Sequence, residues 1–366
     1  MKKIYLILLM FATVSVQAQS YAEWKQSRQE GYKVYAQNYL ARYAGYQEKV
    51  TKQWGDYARM SSAHDYVLYK EDLHQRVVLD YEHNQILIES LNGKDLDVKQ
   101  ALTELAETSV GGALSNDPVL SNVKGQKQAE SLLHTITGTD DVAEVMSKVD
   151  VAQADIGDAT SKRIQQVKIS LPTQMVRDRA APFVPTATKM SEEFSVDRSL
   201  ILAVAQTESS FNPLAQSPIP AFGLMQIVPN SAGKDVNVKI NNKNQSPDEE
   251  TLFQPDENIR FGAAYLHILD SRYLKDIKNE KSRLYCTIAA YNTGAGNVAS
   301  VFHPDNKRSL SLAVEEINKL SPEQVYQKLE RELPYQETRT YLKKVTTALG
   351  QYQQLEVANK AQASAL

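Results

Sequence analysis

Between residues 195 and 229 the apolar and polar positions describe a helix that ends in a carboxylate. Asp197, with Ser195 just before it, stands where an N-cap belongs, and Ile201, Val204, Ala205 and Glu208 follow at i, i+3, i+4 and i+7. Glu208 therefore shares the apolar face, one turn beyond Ala205. A carboxyl group in that position loses hydration, which disfavours its ionised form and raises its pKa. Such a group can hold a proton near neutrality and deliver it to a leaving oxygen. Pro213 and the Ser217-Pro218 step are read as ending the helix, and Gly223 as letting the backbone come close to another element. Taken alone, Glu208 is better read as a buried carboxylate satisfied by a local partner.

The same patterning divides the rest of the chain. Residues 20–60 are helical in period, with Tyr32, Tyr35, Tyr39, Tyr43 and Tyr46 on one face, better read as a packing stripe than as a platform for sugar rings. Strand-like alternation occupies 66–70 and 76–89, the second run holding a hairpin that turns at His83-Asn84. A helix is expected over 97–110, a loop over 109–118 around Gly111-Gly112, helical or irregular chain to about 160, and a strand over 163–171. This order predicts an α+β amino-terminal domain over 19–180, closed by Pro172, Pro182 and Pro185. From 186 to 352 the pattern is mainly α: helices at 255–269, 282–292, 322–329 and 338–349, a break at residues 293–296, and a polar exposed loop over 237–250. Residues 353–366 are expected to form a frayed tail.

Composition changes this picture little. The chain has 366 residues, 42% hydrophobic and 23% charged, as in ordinary globular proteins. A formal net charge of −3 argues against a nucleic-acid binder. Residues 1–18 read as an export signal: Lys2 and Lys3, an apolar run too short to span a bilayer, and a small-x-small site at Val16-Gln17-Ala18. No later segment is apolar enough to cross a membrane, so a periplasmic protein without a transmembrane segment is expected. The single cysteine, Cys286, rules out an internal disulfide and reads as a buried apolar residue; no cysteine follows the signal to carry a lipid. The six histidines are scattered without ligand spacing, and neither metal nor cofactor is expected.

The words around Glu208 carry more. E-S-S-F-N-P at 208–213, Ser217 and G-L-M-Q-I-x-P at 223–229 resemble the catalytic segment of the soluble-lytic-transglycosylase (family 1) type of enzyme, which cuts the glycan strands of peptidoglycan. N-I-R-F-G-A-A-Y-L at 258–266, A-Y-N-T-G-A-G at 290–296 and E-T-R-T-Y-L-K-K-V at 337–345 continue the likeness in family order. The resemblance extends, more loosely, to the amino-terminal domain of the murein transglycosylase C branch, whose lipid-bearing cysteine is absent here. Pro220 and Phe222 stand where smaller residues are common in the family.

The resemblance implies a lysozyme-like helical domain with one catalytic carboxylate, Glu208, instead of the usual pair of acids. It further implies that Tyr341 places its hydroxyl near Glu208, and that Ser217 donates a hydrogen bond near the scissile region. Met225 is expected as apolar floor of the glycan groove, Gln226 as its bidentate amide, and Tyr291 and Asn292 as borders of the catalytic centre. The expected partner is the peptidoglycan strand. The alternatives are a goose-type-lysozyme-like hydrolase that uses the same glutamate with water, and a non-catalytic glycan-binding protein.

Overall fold

The computed structural model describes residues 21–364, apart from 71, 92–95, 121–122, 124–127, 157–162 and 173–178. The expected export segment, 1–18, lies outside the described residues.

The chain begins with helix α1 (Tyr21–Trp54), which runs onto a five-stranded antiparallel sheet. The strands β1 (Asp65–Tyr69), β2 (Gln75–Asp80), β3 (Gln85–Leu91), β4 (Asp150–Ile156) and β5 (Ile164–Ser170) lie in the order β1-β2-β3-β5-β4. Register explains the alternation seen in sequence. Tyr66, Leu79, Ile86 and Ile169 are paired across four strands in one row, as are Leu68, Val77, Ile88 and Val167 in the next. These side chains face the helical layer, and on the other face Trp54 and Val50 of α1 close over Leu91 and Ile164. Arg76 is held there by the buried Glu89 carboxylate and lies over the Trp54 ring, 4.0 Å from its centroid. Both ends of the expected hairpin and the strand over 163–171 are observed.

Two expectations in this region are corrected. Residues 110–115 form helix α3 (Val110–Ser115), not loop, because Ser109 caps it by accepting from the Gly112 amide at 3.0 Å. It follows α2 (Val98–Glu107), the helix expected over 97–110, capped by Asp97. Short helices α4 (Leu132–Thr137) and α5 (Val142–Lys148) precede β4, which the pattern misses because this edge strand is exposed along almost its whole length.

The second half is helical: α6 (Val184–Phe194), α7 (Arg198–Ser209), α8 (Lys234–Lys239), α9 (Glu249–Leu252), α10 (Pro255–Ile268), α11 (Glu280–Thr293), α12 (Ala295–Phe302), α13 (Leu310–Ile317), α14 (Pro322–Glu332) and α15 (Gln336–Ser364). Helix α7 is central, buried from Ser199 to Ala205, and is fastened to α15 where Tyr352 donates to Gln206 (2.7 Å) and Arg198 and Ser199 both meet Glu356 (2.9 Å each). The expected polar loop over 237–250 is in part helical and pinned: the buried Asn237 amide donates to the Gln245 carbonyl at 2.7 Å. The expected frayed tail is helical to Ser364. One buried apolar cluster runs from Tyr39 through the sheet to Tyr352, so the two halves share a core. Among the described residues no helix is long and apolar enough to cross a membrane.

Candidate active site

Helix α7 stops one residue after Glu208, earlier than Pro213 and Pro218 suggest. Ser210 and Phe211 turn left-handed (φ 52° and 62°), and the Ser210 amide closes on the Gln206 carbonyl. The stop leaves Glu208 at the end of a buried helix, half-buried and opening onto a cleft of about 1090 Å³. Ser209, fully buried beside it, donates to the Leu224 carbonyl at 2.8 Å, which ties the G-L-M-Q loop to the helix end.

That loop is organised by Asn258 of α10. Its Oδ1 accepts from the Met225 amide (2.7 Å), and its Nδ2 donates to the carbonyls of Phe222 (2.8 Å) and Leu252 (2.7 Å). Gly223, at φ 73°, passes so near that a Cβ there would meet Asn258 Nδ2 and the Leu252 oxygen at 2.4 Å. This is the close approach expected of Gly223, and Asn258 is the partner that sequence reasoning did not single out. Its signal was present, as the first residue of N-I-R-F-G-A-A-Y-L, but a side-chain amide that serves three backbone groups on another segment has no local pattern.

The cleft brings together Glu208, Ser217, Gln226, Tyr291, Asn292 and Tyr341. Tyr291 donates to the Met225 carbonyl at 2.8 Å and packs on Tyr265 at 5.5 Å. Asn292 accepts from Thr338 at 2.7 Å, joining the end of α11 to the start of α15. The Ser217 hydroxyl donates to the Ile219 carbonyl within its own loop, and Gln226 Nε2 donates to the Gly223 carbonyl at 3.0 Å. Met225 is the exception. It is fully buried, and its sulfur lies so close to Gly262 that a Cβ there would stand at 2.2 Å. It supports the loop from behind and is not a floor of the cleft, because the left-handed turn at Gly223 directs it inward.

Electrostatics single out Glu208. Burial pushes its carboxyl up to about 8, the Tyr341 hydroxyl restrains the rise, and the like charge of Glu337 adds to it. The Tyr341 hydroxyl is itself buried, and no described group meets it at full hydrogen-bond geometry; the Glu208 carboxyl is the acceptor it faces. Burial first, and the Glu208 charge after it, hold the Tyr341 and Tyr291 hydroxyls far above the usual tyrosine range, so both stay protonated. Glu337, exposed on the cleft wall, is a second carboxylate that the sequence reading left out.

The amino-terminal half supplies part of the wall. Ala63 and His64 line the cleft, His64 Nδ1 stands 3.2 Å from Ser210 Oγ, and Asn212 Nδ2 donates to the Ala63 carbonyl at 3.1 Å. Tyr39, fully buried edge-on to Phe222, donates to the Ser217 carbonyl at 2.9 Å. The tyrosine stripe thus packs where it is described: Tyr39 in the core, Tyr43 and Tyr46 against it.

Comparison with known proteins covers both halves of the chain. A family model described as "Transglycosylase SLT domain" matches residues 185–313, and "Membrane-bound lytic murein transglycosylase C, N-terminal domain" matches residues 20–108. The membrane-bound lytic murein transglycosylase C of Pectobacterium atrosepticum is 36% identical over 301 residues, 79% of this chain and 82% of that protein. That of Histophilus somni is 32% identical over 319 residues, 84% of this chain and 85% of that protein. Among solved structures, an inactive mutant of the lytic transglycosylase Slt from Pseudomonas aeruginosa is 28% identical over 48% of this chain and 24% of that one, with a TM-score of 0.36. Relatedness over most of both lengths, through the sheet-bearing half as well as the helical one, places this chain in the membrane-bound lytic murein transglycosylase C family.

Proposed function

We propose that this chain is a peptidoglycan lytic transglycosylase that cuts the β-1,4 bond between N-acetylmuramic acid and N-acetylglucosamine, with Glu208 as acid and then base. The observation that carries the reading is the Glu208 carboxyl itself: buried at the end of α7, open to the cleft, and held near pKa 8 beside the Tyr341 hydroxyl. Mostly protonated at pH 7, Glu208 gives its proton to the bridging oxygen as that bond breaks. The substrate's 2-acetamido oxygen stabilises the electron-poor anomeric carbon. The Glu208 carboxylate, with the Tyr341 hydroxyl facing it, then takes the proton of the muramoyl 6-hydroxyl as that oxygen bonds to C1. The product is a 1,6-anhydromuramoyl end, no water is consumed, and Glu208 ends protonated as it began. Tyr291, Asn292 and Gln226 border the sugar site, with Ser217 near the scissile region. The catalytic unit spans 186–352 and the α+β unit 19–180.

Mass spectrometry of peptidoglycan digested by the wild type and by Glu208→Gln tests this. Anhydro ends from the wild type alone support it, and turnover by the variant refutes it. Glu337 on the cleft wall favours one second reading, a hydrolase in which that carboxylate activates water; reducing ends in place of anhydro ends, lost in Glu337→Gln, would establish it.

The relatives named above are membrane-bound proteins. For this chain we propose export to the periplasm through residues 1–18 without a lipid on cysteine, since Cys286, the single cysteine, is fully buried in α11. Release of the mature protein from spheroplasts without detergent is the expected result.

A further inference from the structure

A second cavity of about 400 Å³ opens beside the cleft, in the size range that admits a short peptide or drug-sized ligand, roughly 300–1000 Å³. It is a branch of the cleft, since His64, Thr207, Thr340 and Lys344 line both. The branching point is specific. Thr207 precedes Glu208 and Thr340 precedes Tyr341, so the cavity leaves the cleft one residue from each of the two groups that face the reacting bond.

Its lining is rich in donors. Lys343 and Lys344 stand on α15, with Gln351 two turns further along and Gln206 on the facing helix. The opposite wall comes from the amino-terminal half, through His64 and Glu82. Lys344 is engaged by Glu82 at 2.8 Å across the junction of the two halves. Lys343 has no ion-pair partner among the described residues. Two ammonium groups against one carboxylate leave the cavity an excess of one positive charge, and burial keeps His64 neutral by lowering its pKa.

The chemistry of a glycan seated in the cleft calls for such a branch. The muramoyl residue whose C1 lies at Glu208 carries an acidic peptide on its lactyl ether, and that peptide must leave the groove next to the scissile bond. We propose that this cavity receives the peptide stem of that muramoyl residue, with Lys343 pairing with a stem carboxylate. The inference rests on the reading of the cleft as the glycan site and deepens it, since it assigns the amino-terminal half a share in substrate recognition.

The test compares the full-length chain with its Lys343→Glu and Lys343→Ala variants on two soluble substrates: glycan strands with their stems, and strands stripped of stems by an amidase. Lys343 is exposed and lies outside the glycan cleft, so both variants are expected to melt with the wild type. On stem-bearing strands Lys343→Glu is expected to raise KM by roughly three- to tenfold, with a smaller rise for Lys343→Ala, while neither variant changes the rate on stripped strands. Equal effects on both substrates, or none on either, would overturn the assignment and leave the glycan reading standing. Failure of the wild type to cleave either substrate removes the glycan reading, and the stem site with it.

Discussion

At the scale of the residue, the proposed active site turns on how the Glu208 carboxyl is shielded from water. Its pKa in the fold, about 8, is far above that of an unfolded chain, so below the unfolded value both states are protonated and burial carries no ionisation penalty. As pH rises from there toward 8 the unfolded chain ionises and the folded one does not, and stability falls. Glu208→Gln escapes that penalty. At pH 7 it is expected to be more stable than the wild type by roughly 3 kcal/mol as an upper figure, with the gain vanishing below about pH 4, in melts followed across pH. Its activity is expected to drop at least 10²-fold. The two neighbours of Glu208 act in opposite directions, which gives a sharper check. Under the proposed mechanism the alkaline limb of the rate profile is expected to report loss of the Glu208 proton. Tyr341→Phe removes the group that restrains its pKa and moves the limb up; Glu337→Gln removes the like charge and moves it down. Limbs that shift together would show that the titrating group is not Glu208.

At the scale of the element, the helix end and the 223–229 loop are one construction, because α7 alone would leave its terminal carboxyl in solvent. Asn258 and Ser209 clamp the loop across the helix end through four hydrogen bonds to backbone groups of 222–225 and 252. Asn258→Ala takes the side-chain partner from the Met225 amide and the Leu252 carbonyl and leaves the Phe222 carbonyl only the Ile227 amide (3.1 Å), and is expected to cost about 3 kcal/mol by denaturant unfolding. Asn258→Asp is expected to cost no less, since a carboxylate cannot donate to the Phe222 and Leu252 carbonyls. Gly223→Ala combines a strained left-handed φ with a 2.4 Å clash and is expected to lose activity along with stability. Gly262 shows the same logic from the opposite side, since any side chain there displaces the Met225 sulfur.

At the scale of the molecule, the sheet-bearing half is built into the site. It reaches the 210–217 segment by Tyr39 on the Ser217 carbonyl, by Asp117 accepting from the buried Gln216 amide at 3.0 Å, and by the Ala63 carbonyl on Asn212. With one continuous buried cluster through both halves, thermal unfolding is expected as a single transition with matching calorimetric and van't Hoff enthalpies. Tyr39→Phe keeps the ring on Phe222 and loses only the hydroxyl bond. It is expected to cost about 1 kcal/mol and to lower turnover by loosening Ser217, read as a fall in kcat at unchanged Tm within a few degrees.

How much of this was legible beforehand follows from the range of each interaction. Period and capping are local, so the sequence by itself determined α7 and its Asp197 cap, the β2–β3 hairpin, the interior face that carries Glu208, and, through the ordered motifs, the expected positions other than Met225 that meet in the cleft. Edge strand β4 stayed hidden because its exposed residues carry no alternation, and α3 because a serine cap outweighs two glycines. Only the tertiary structure decided that Met225 turns inward, that Asn258 holds the loop, that Glu337 adds its charge, and that a lysine-lined branch opens between the halves. Each of these depends on groups far apart in the chain that meet in a medium without water, where one hydrogen bond or one charge decides which arrangement persists.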